Sequence, residues 1–236
     1  MKVVSTEFVT SAAAGGRVDD VPADGLAQIA FAGRSNVGKS TLLNALTRAK
    51  LARTSAAPGK TRLANIYRVT LEGGPGGPGR WSVYFVDLPG YGYARGGTDA
   101  AAELAAVASA YFRSGSTVGG PGSDRVHEVA PREDPGARIR NPGAERAERA
   151  TLHLIDARHP ALQSDVDAAR WFDSLAVERH TVATKIDKLS RSERTRNLKE
   201  LERMFGCAVL PVSATRGEGL DELWKLIARV ARDRHP

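Results

Sequence analysis

Cysteine occurs once, at Cys207, so no disulfide can close within the chain, which sets aside the small secreted folds that depend on cross-links. Long hydrophobic runs are missing too. Nothing approaches the roughly 18 uninterrupted apolar residues of a membrane span, and Ser5, Thr6 and Glu7 interrupt the apolar stretch that a secretory signal needs. The cytoplasm is therefore the expected compartment, with no membrane partner. No Cys/His cluster has zinc-site spacing, and no internal repeat is visible. Lys and Arg number 34 against 27 Asp and Glu, a surplus of +7. That balance fits a polyanionic partner or simply a solvated surface.

What is present is a chain of 236 residues, 42% hydrophobic and 26% charged, enough for one α/β domain with a sizeable core. Residues 29–33 form an apolar run ending in Gly33, and Leu42, Leu43 and Leu46 then take helical spacing. Residues 63–71 and 81–86 read as two strands of a hairpin around the Gly/Pro-rich tip 73–79. Downstream, strands are expected at 152–155, 181–183 and 209–212. Helices are expected at 100–112, 166–175 and 192–205, with a last one on the stripe Leu220, Leu223, Trp224, Ile227 and Ala231. The alternation predicts a mostly parallel six-stranded sheet with one antiparallel strand and helices on both faces. Residues 114–149 break this rhythm: Gly, Pro and charges of both signs, with no aromatic residue, predict a disordered insertion, a basic arm being the alternative.

Gly33-Arg34-Ser35-Asn36-Val37-Gly38-Lys39-Ser40 fits the phosphate-loop pattern G-x-x-x-x-G-K-[ST] between a strand and a helix, with Thr41 following. Glycines allow backbone amides and a helix N-terminus to close on phosphate oxygens. Lys39 would place an ammonium on the β and γ phosphates, and the Ser40 hydroxyl can ligate Mg²⁺. The base is read elsewhere. Thr184-Lys185-Ile186-Asp187, at a strand end, resembles the [N/T]KxD element of GTPases, and Ser213-Ala214-Thr215 resembles their SA[K/L/T] element. The Asp187 carboxylate can accept from both N1–H and the exocyclic amine of guanine. Adenine lacks that donor pair and would leave the carboxylate unpaired, which argues against an ATP-dependent enzyme. Asp87-Leu88-Pro89-Gly90 matches DxxG: Asp87 would hold Mg²⁺ through water, and the Gly90 amide would meet the γ-phosphate. In Pro58-Gly59-Lys60-Thr61-Arg62, Thr61 is the candidate for a second Mg²⁺ hydroxyl on a loop ordered by the γ-phosphate. Lys39, Thr61 and Gly90 are thus the candidate catalytic residues.

Residues 8–12, 29–40, 51–55, 87–94, 155–160 and 184–190 together resemble the EngB (YihA/YsxC) family of bacterial ribosome-biogenesis GTP-binding proteins, over about residues 7–112 and 150–230. The resemblance implies a single Ras-like P-loop GTPase domain spanning 1–236. It also implies Mg²⁺ with GTP or GDP, and a monomer acting on a precursor of the large ribosomal subunit, with a link to cell division and no DNA partner. The alternative is a nucleotide-gated rRNA scaffold whose hydrolysis is incidental. After DxxG stands Tyr91 where Ras-like enzymes carry a water-orienting Gln, so intrinsic hydrolysis is expected to be no faster than about 10⁻⁴ to 10⁻³ s⁻¹, with acceleration supplied in trans. Asn36 is a candidate K⁺ ligand by the same likeness. Arg196, Lys199 and Arg203 form a basic stripe on the 192–205 helix, read as solvated or as touching rRNA phosphates. His153, inside an apolar strand, is expected as a satisfied core residue.

Overall fold

The computed structural model describes residues 1–13, 21–22, 24–51, 63–74, 77–91, 106–112, 149–160, 162–175 and 177–232. Seven strands form one sheet: β1 (Lys2–Ala13), β2 (Gln28–Gly33), β3 (Leu63–Glu72), β4 (Arg80–Asp87), β5 (Arg149–Asp156), β6 (Glu178–Thr184) and β7 (Val209–Pro211), in spatial order β1-β3-β4-β2-β5-β6-β7. β3 runs against both of its neighbours and every other pairing is parallel, so β3 is the one antiparallel strand. β2 lies between two parallel partners and is buried along its whole length, which is why its sequence is nearly continuous apolar rather than alternating.

The helices are α1 (Lys39–Thr47), α2 (106–112), α3 (Gln163–Ser174), α4 (Arg191–Phe205) and α5 (Leu220–Arg232), with a 3₁₀ turn at Ile186–Lys188. They cover both faces. Leu42, Leu43 and Leu46 of α1 join Leu223, Trp224 and Ile227 of α5 over Phe31, Phe85 and Leu154. On the opposite face, Val107, Tyr111 and Phe112 of α2 and Phe172 of α3 pack over Ala30, Val86 and Leu88. α4 closes the β6–β7 end with Leu201 against Ile155, Ala183 and Val209. A full capping box starts this helix, the Ser190 side chain accepting from the Glu193 amide and Glu193 from the Ser190 amide.

Two boundaries differ from expectation. The sheet has seven strands rather than six, because the N-terminal segment pairs along the open edge of β3. Register shifts between Val3 and Ser5 and between Phe8 and Thr10 insert Val4 and Val9 as extra residues, and these break the period-two pattern by which a strand is recognised. Arg149, grouped above with the insertion, instead opens β5. Its guanidinium lies 4.6 Å over the Tyr111 ring and donates to Gln28 Oε1 at 3.1 Å and to the Tyr111 carbonyl. A cation half-covered by an aromatic ring keeps its partners through packing, which composition does not reveal. The remainder of 114–149, most of the expected 100–112 helix and residues 92–97 lie outside the described residues, as do Gly59, Lys60 and Thr61.

Candidate functional site

Gly33 ends β2, and a Cβ there would lie 2.8 Å from both the Leu154 carbonyl oxygen and a Val37 methyl, so glycine alone lets the loop fold back against β5. Val37 is buried in the core and anchors the loop from beneath. Asn36 (φ 64°) and Gly38 (φ 108°) take left-handed backbone, which turns the chain into the first turn of α1. Two loop carbonyls are held from the β6 end: Thr184 Oγ1 donates to the Val37 oxygen at 2.7 Å, and Lys185 Nζ donates to the Asn36 oxygen. C=O and N–H of a trans peptide are antiparallel, so the Gly38 amide points away from Thr184. Lys39 Nζ is paired with Asp87 Oδ1, both nearly buried. Gly90 packs so tightly on the loop that a Cβ would sit 3.0 Å from the Ser35 backbone.

At the other end, Lys185 is held in left-handed backbone (φ 59°) ahead of the 3₁₀ turn that carries Asp187. A long-chain residue rarely adopts this conformation, and here side-chain contacts fix it. Lys185 Nζ also donates to Asp156 Oδ2 at 2.9 Å. Asp156, at the end of β5, is gripped by Arg158 through Nε at 3.0 Å and Nη2 at 2.8 Å. Burial raises the Asp156 carboxyl pKa, but the Arg158 and Lys185 bonds outweigh it and bring it down to about 2. The fully buried Ser213 donates to Asp187 Oδ1 at 2.8 Å and accepts from the Arg216 amide at 3.2 Å. Burial opposes ionisation of Asp187 as well, and the Ser213 bond and the Lys188 charge more than offset it, lowering its pKa.

Gly38, Thr41, Thr184, Lys185, Asp187 and Ala214 line one cavity of about 170 Å³, which brings the phosphate loop and the [N/T]KxD and SA elements to a single cleft. Such an arrangement offers amides and an ammonium to an anion at one end, and a fixed carboxylate to paired N–H donors at the other.

Comparison with known proteins agrees with this layout. Residues 28–185 match the family model described as 50S ribosome-binding GTPase. Over 237 aligned residues the chain is 36% identical to a probable GTP-binding protein EngB of Anaeromyxobacter sp. (strain Fw109-5), covering 99% of this chain and 94% of that one. It is 35% identical to the EngB of Solibacter usitatus, covering 99% and 100%. The chain belongs to the EngB family of GTP-binding proteins. Among solved structures, a probable GTP-binding protein engB shares the fold at TM-score 0.56 and 20% identity, over 88% of this chain and all of that one. Era of Aquifex aeolicus, bound to GDP·AlF₄⁻, does so at 0.60 and 22%, over 86% and 56%. As an EngB-family GTPase the chain binds GTP and GDP, and no helix among its described residues is long and apolar enough to cross a membrane.

Not every residue singled out from the sequence points into this cleft. The Arg34 side chain turns to α3, where Nε meets Asp165 Oδ1 at 3.0 Å. Leu88 and Pro89 are buried, and the Leu88 amide donates to the Phe31 carbonyl at 3.2 Å. Asn36 is exposed. Arg196, Lys199 and Arg203 are exposed along α4 as expected. His153 is wholly buried but only half satisfied: Nε2 meets the Tyr91 hydroxyl at 2.6 Å, and Nδ1 has no hydrogen-bond partner. Sequence reading missed the Asp165 and His153 partnership with Tyr91, and no local pattern marks it, since the three stand on different elements.

Proposed function

We propose that this EngB-family GTPase hydrolyses GTP slowly and acts in the cytoplasm as a nucleotide-dependent switch in large ribosomal subunit assembly, with a link to cell division. The observation that carries the nucleotide chemistry is the single cavity shared by Gly38, Thr41, Lys185, Asp187 and Ala214. In this reading the amides of Gly33 to Thr41 cradle the phosphates, Lys39 neutralises them, and the Gly90 amide contacts the γ-phosphate. Asp187 accepts from guanine N1–H and its amine, Lys185 covers the ring face with its stem, and the Ser213–Ala214 backbone meets O6. Leu88 and Pro89 hold the DxxG turn in place from the core, and Arg34 does so through Asp165. Gly59, Lys60 and Thr61 complete the γ-phosphate side.

Ser40, next to Lys39 at the start of α1, and Asp87, the β4 partner of Lys39, offer hard oxygen donors that fit Mg²⁺, with Thr61 as the third. The ion, when bound, spreads the charge that develops on the phosphate oxygens. Asn36 is the proposed K⁺ ligand, and equal turnover in KCl and NaCl would remove it from that role. The partner we propose is a large-subunit precursor, met by a monomer of this chain through its rRNA or proteins. The 50S ribosome-binding description of the family model supports it. Era, solved with MgGDPNP and nucleotides of 16S ribosomal RNA, shares this fold at TM-score 0.61 and 22% identity.

Cosedimentation with large-subunit particles decides the matter. Binding is expected with a non-hydrolysable GTP analogue and not with GDP, and it should weaken as salt rises. Equal sedimentation with both nucleotides would remove the switch. The Tyr91 hydroxyl is already engaged by His153 and Asp165 rather than free to orient a water, which supports slow hydrolysis and equally the scaffold reading. Normal particle maturation with a hydrolysis-dead, binding-competent variant would select the scaffold.

A further inference from the structure

Behind the phosphate loop lies a polar network that the nucleotide chemistry does not use. Arg34 donates from Nε to both Asp165 oxygens at 3.0 and 3.1 Å. Tyr91 donates to Asp165 Oδ1 at 3.0 Å, and its oxygen lies 2.6 Å from His153 Nε2. Asp165 and His153 are both at 0% exposure. Phe172 and Phe205 stand edge-on to the imidazole. Four elements meet here: the phosphate loop, the end of DxxG, β5 and α3. The backbone is joined at the same place, with the Ser35 amide donating to the Tyr91 carbonyl at 3.0 Å and the Tyr91 amide to the Gly33 carbonyl at 3.3 Å.

Burial raises the Asp165 pKa against the pull of the Arg34 guanidinium; with Asp165 ionised beside that cation, the proton count sets the polarity of the network. The single phenolic proton goes to the carboxylate, the stronger acceptor. His153 must then donate from Nε2 to the phenolic oxygen, which leaves Nδ1 as the bare nitrogen, and that is the buried atom without a partner. Burial lowers the His153 pKa to about 3, so the ring is neutral and holds one proton, as this count requires. Burial and the neighbouring Asp165 raise the Tyr91 pKa, so the phenol keeps its proton.

We propose that Tyr91 is a positioning residue: through Asp165, Arg34 and His153 it pins the end of DxxG to the phosphate loop, holds Gly90 against Ser35, and thereby sets the preference for a γ-phosphate over a diphosphate. The inference rests on the reading of Gly90 as a γ-phosphate contact. GDP has no group at that place, so losing the pin should cost affinity for the triphosphate alone. A positioned amide counts toward binding only if its geometry is fixed beforehand.

The test titrates GDP and a non-hydrolysable GTP analogue into the full chain with Mg²⁺, for wild type, Tyr91→Phe and Asp165→Asn, with thermal melting alongside. Tyr91→Phe keeps the ring and deletes the hydroxyl. It should raise the analogue Kd about tenfold or more while the GDP Kd stays within about twofold. Asp165→Asn retains an acceptor for the phenol, loses the charge facing Arg34, and should show the same selective loss; it carries the test where Tyr91→Phe does not fold. Imidazole ¹⁵N shifts add an independent readout: His153 should be protonated at Nε2 in wild type and lose that tautomer preference in Tyr91→Phe. Equal weakening of both nucleotides, or no change in either, would overturn the inference. Wild type failing to bind either nucleotide would instead overturn the guanine-nucleotide reading beneath it.

Discussion

The base end and the phosphate end of the cleft are built on opposite plans. At the base end each working group is held by a partner that leaves it free to act: Ser213 grips one oxygen of Asp187, and Asp156 steadies the Lys185 ammonium while its stem stays along the cavity. At the phosphate end the working groups hold one another, Lys39 paired with Asp87, and the wall behind them is a buried ionic network. A rigid reader and a charge-compensated receiver are therefore joined by the Thr184 bond to the Val37 carbonyl. Recognition of the base can be set in advance. Acceptance of the phosphates has to redistribute charges already spoken for.

Three experiments would break or sharpen this contrast. Asp187→Ala should have the largest effect, raising the GDP Kd by about a thousandfold because two hydrogen bonds to a charged acceptor vanish. Calorimetry measures it, and the apoprotein should lose no more than about 1 to 1.5 kcal/mol of stability, from the Ser213 bond and the exposed Lys188 pair at 3.6 Å, which contributes little. Lys39→Ala should behave differently, weakening nucleotide binding and also lowering the stability of the nucleotide-free protein. The loss expected on leaving Asp87 buried without its cation is about 3 kcal/mol, measured by urea denaturation. An unchanged urea midpoint would put the two ends on the same plan.

The third effect is in pH and is spread over several units, so it is the smallest at any pH near neutrality. His153, at about 3 in the folded state against an ordinary 6.5, is neutral when folded and takes up a proton only on unfolding. Stability should therefore fall as pH drops from about 6.5 toward 3, by up to about 1.4 kcal/mol per pH unit from this group. Asp156 is shifted in the same direction but acts in a lower window: its depressed pKa contributes stability that is intact above about 3.8 and is lost only as pH falls through about 2. Between pH 6.5 and 4 the phosphate-side histidine dominates this pair. His153→Gln, which keeps a donor for Tyr91, should flatten the slope of unfolding free energy in that window, and an unchanged slope would remove His153 as its source.

The nucleotide motifs were legible because their chemistry needs fixed residues at fixed spacing, from Gly33 to Ser40 and again at Asp187. The core strands were legible because burial between parallel neighbours demands a continuous apolar run, as in β2. β1 was not, since its bulges at Val4 and Val9 scramble the alternation, and its partner lies on a distant segment of chain. The Arg34–Asp165–Tyr91–His153 network was hidden for a related reason. Arg34 reads singly as a phosphate-loop residue, Tyr91 as a switch tyrosine and His153 as a core histidine, while Asp165 falls just ahead of the expected 166–175 helix. Only the crossing of four elements makes them one unit.

Arg149 bears on chain length as much as on stability. By gripping the Tyr111 carbonyl and ring together with Gln28, it brings the point where the chain leaves α2 beside the point where it enters β5. Once two ends are stapled side by side, the entropy of closing the segment between them grows only logarithmically, about 0.6 kcal/mol for each doubling of its length. On that footing a change of length between Tyr111 and Arg149 is expected to cost the nucleotide cleft little.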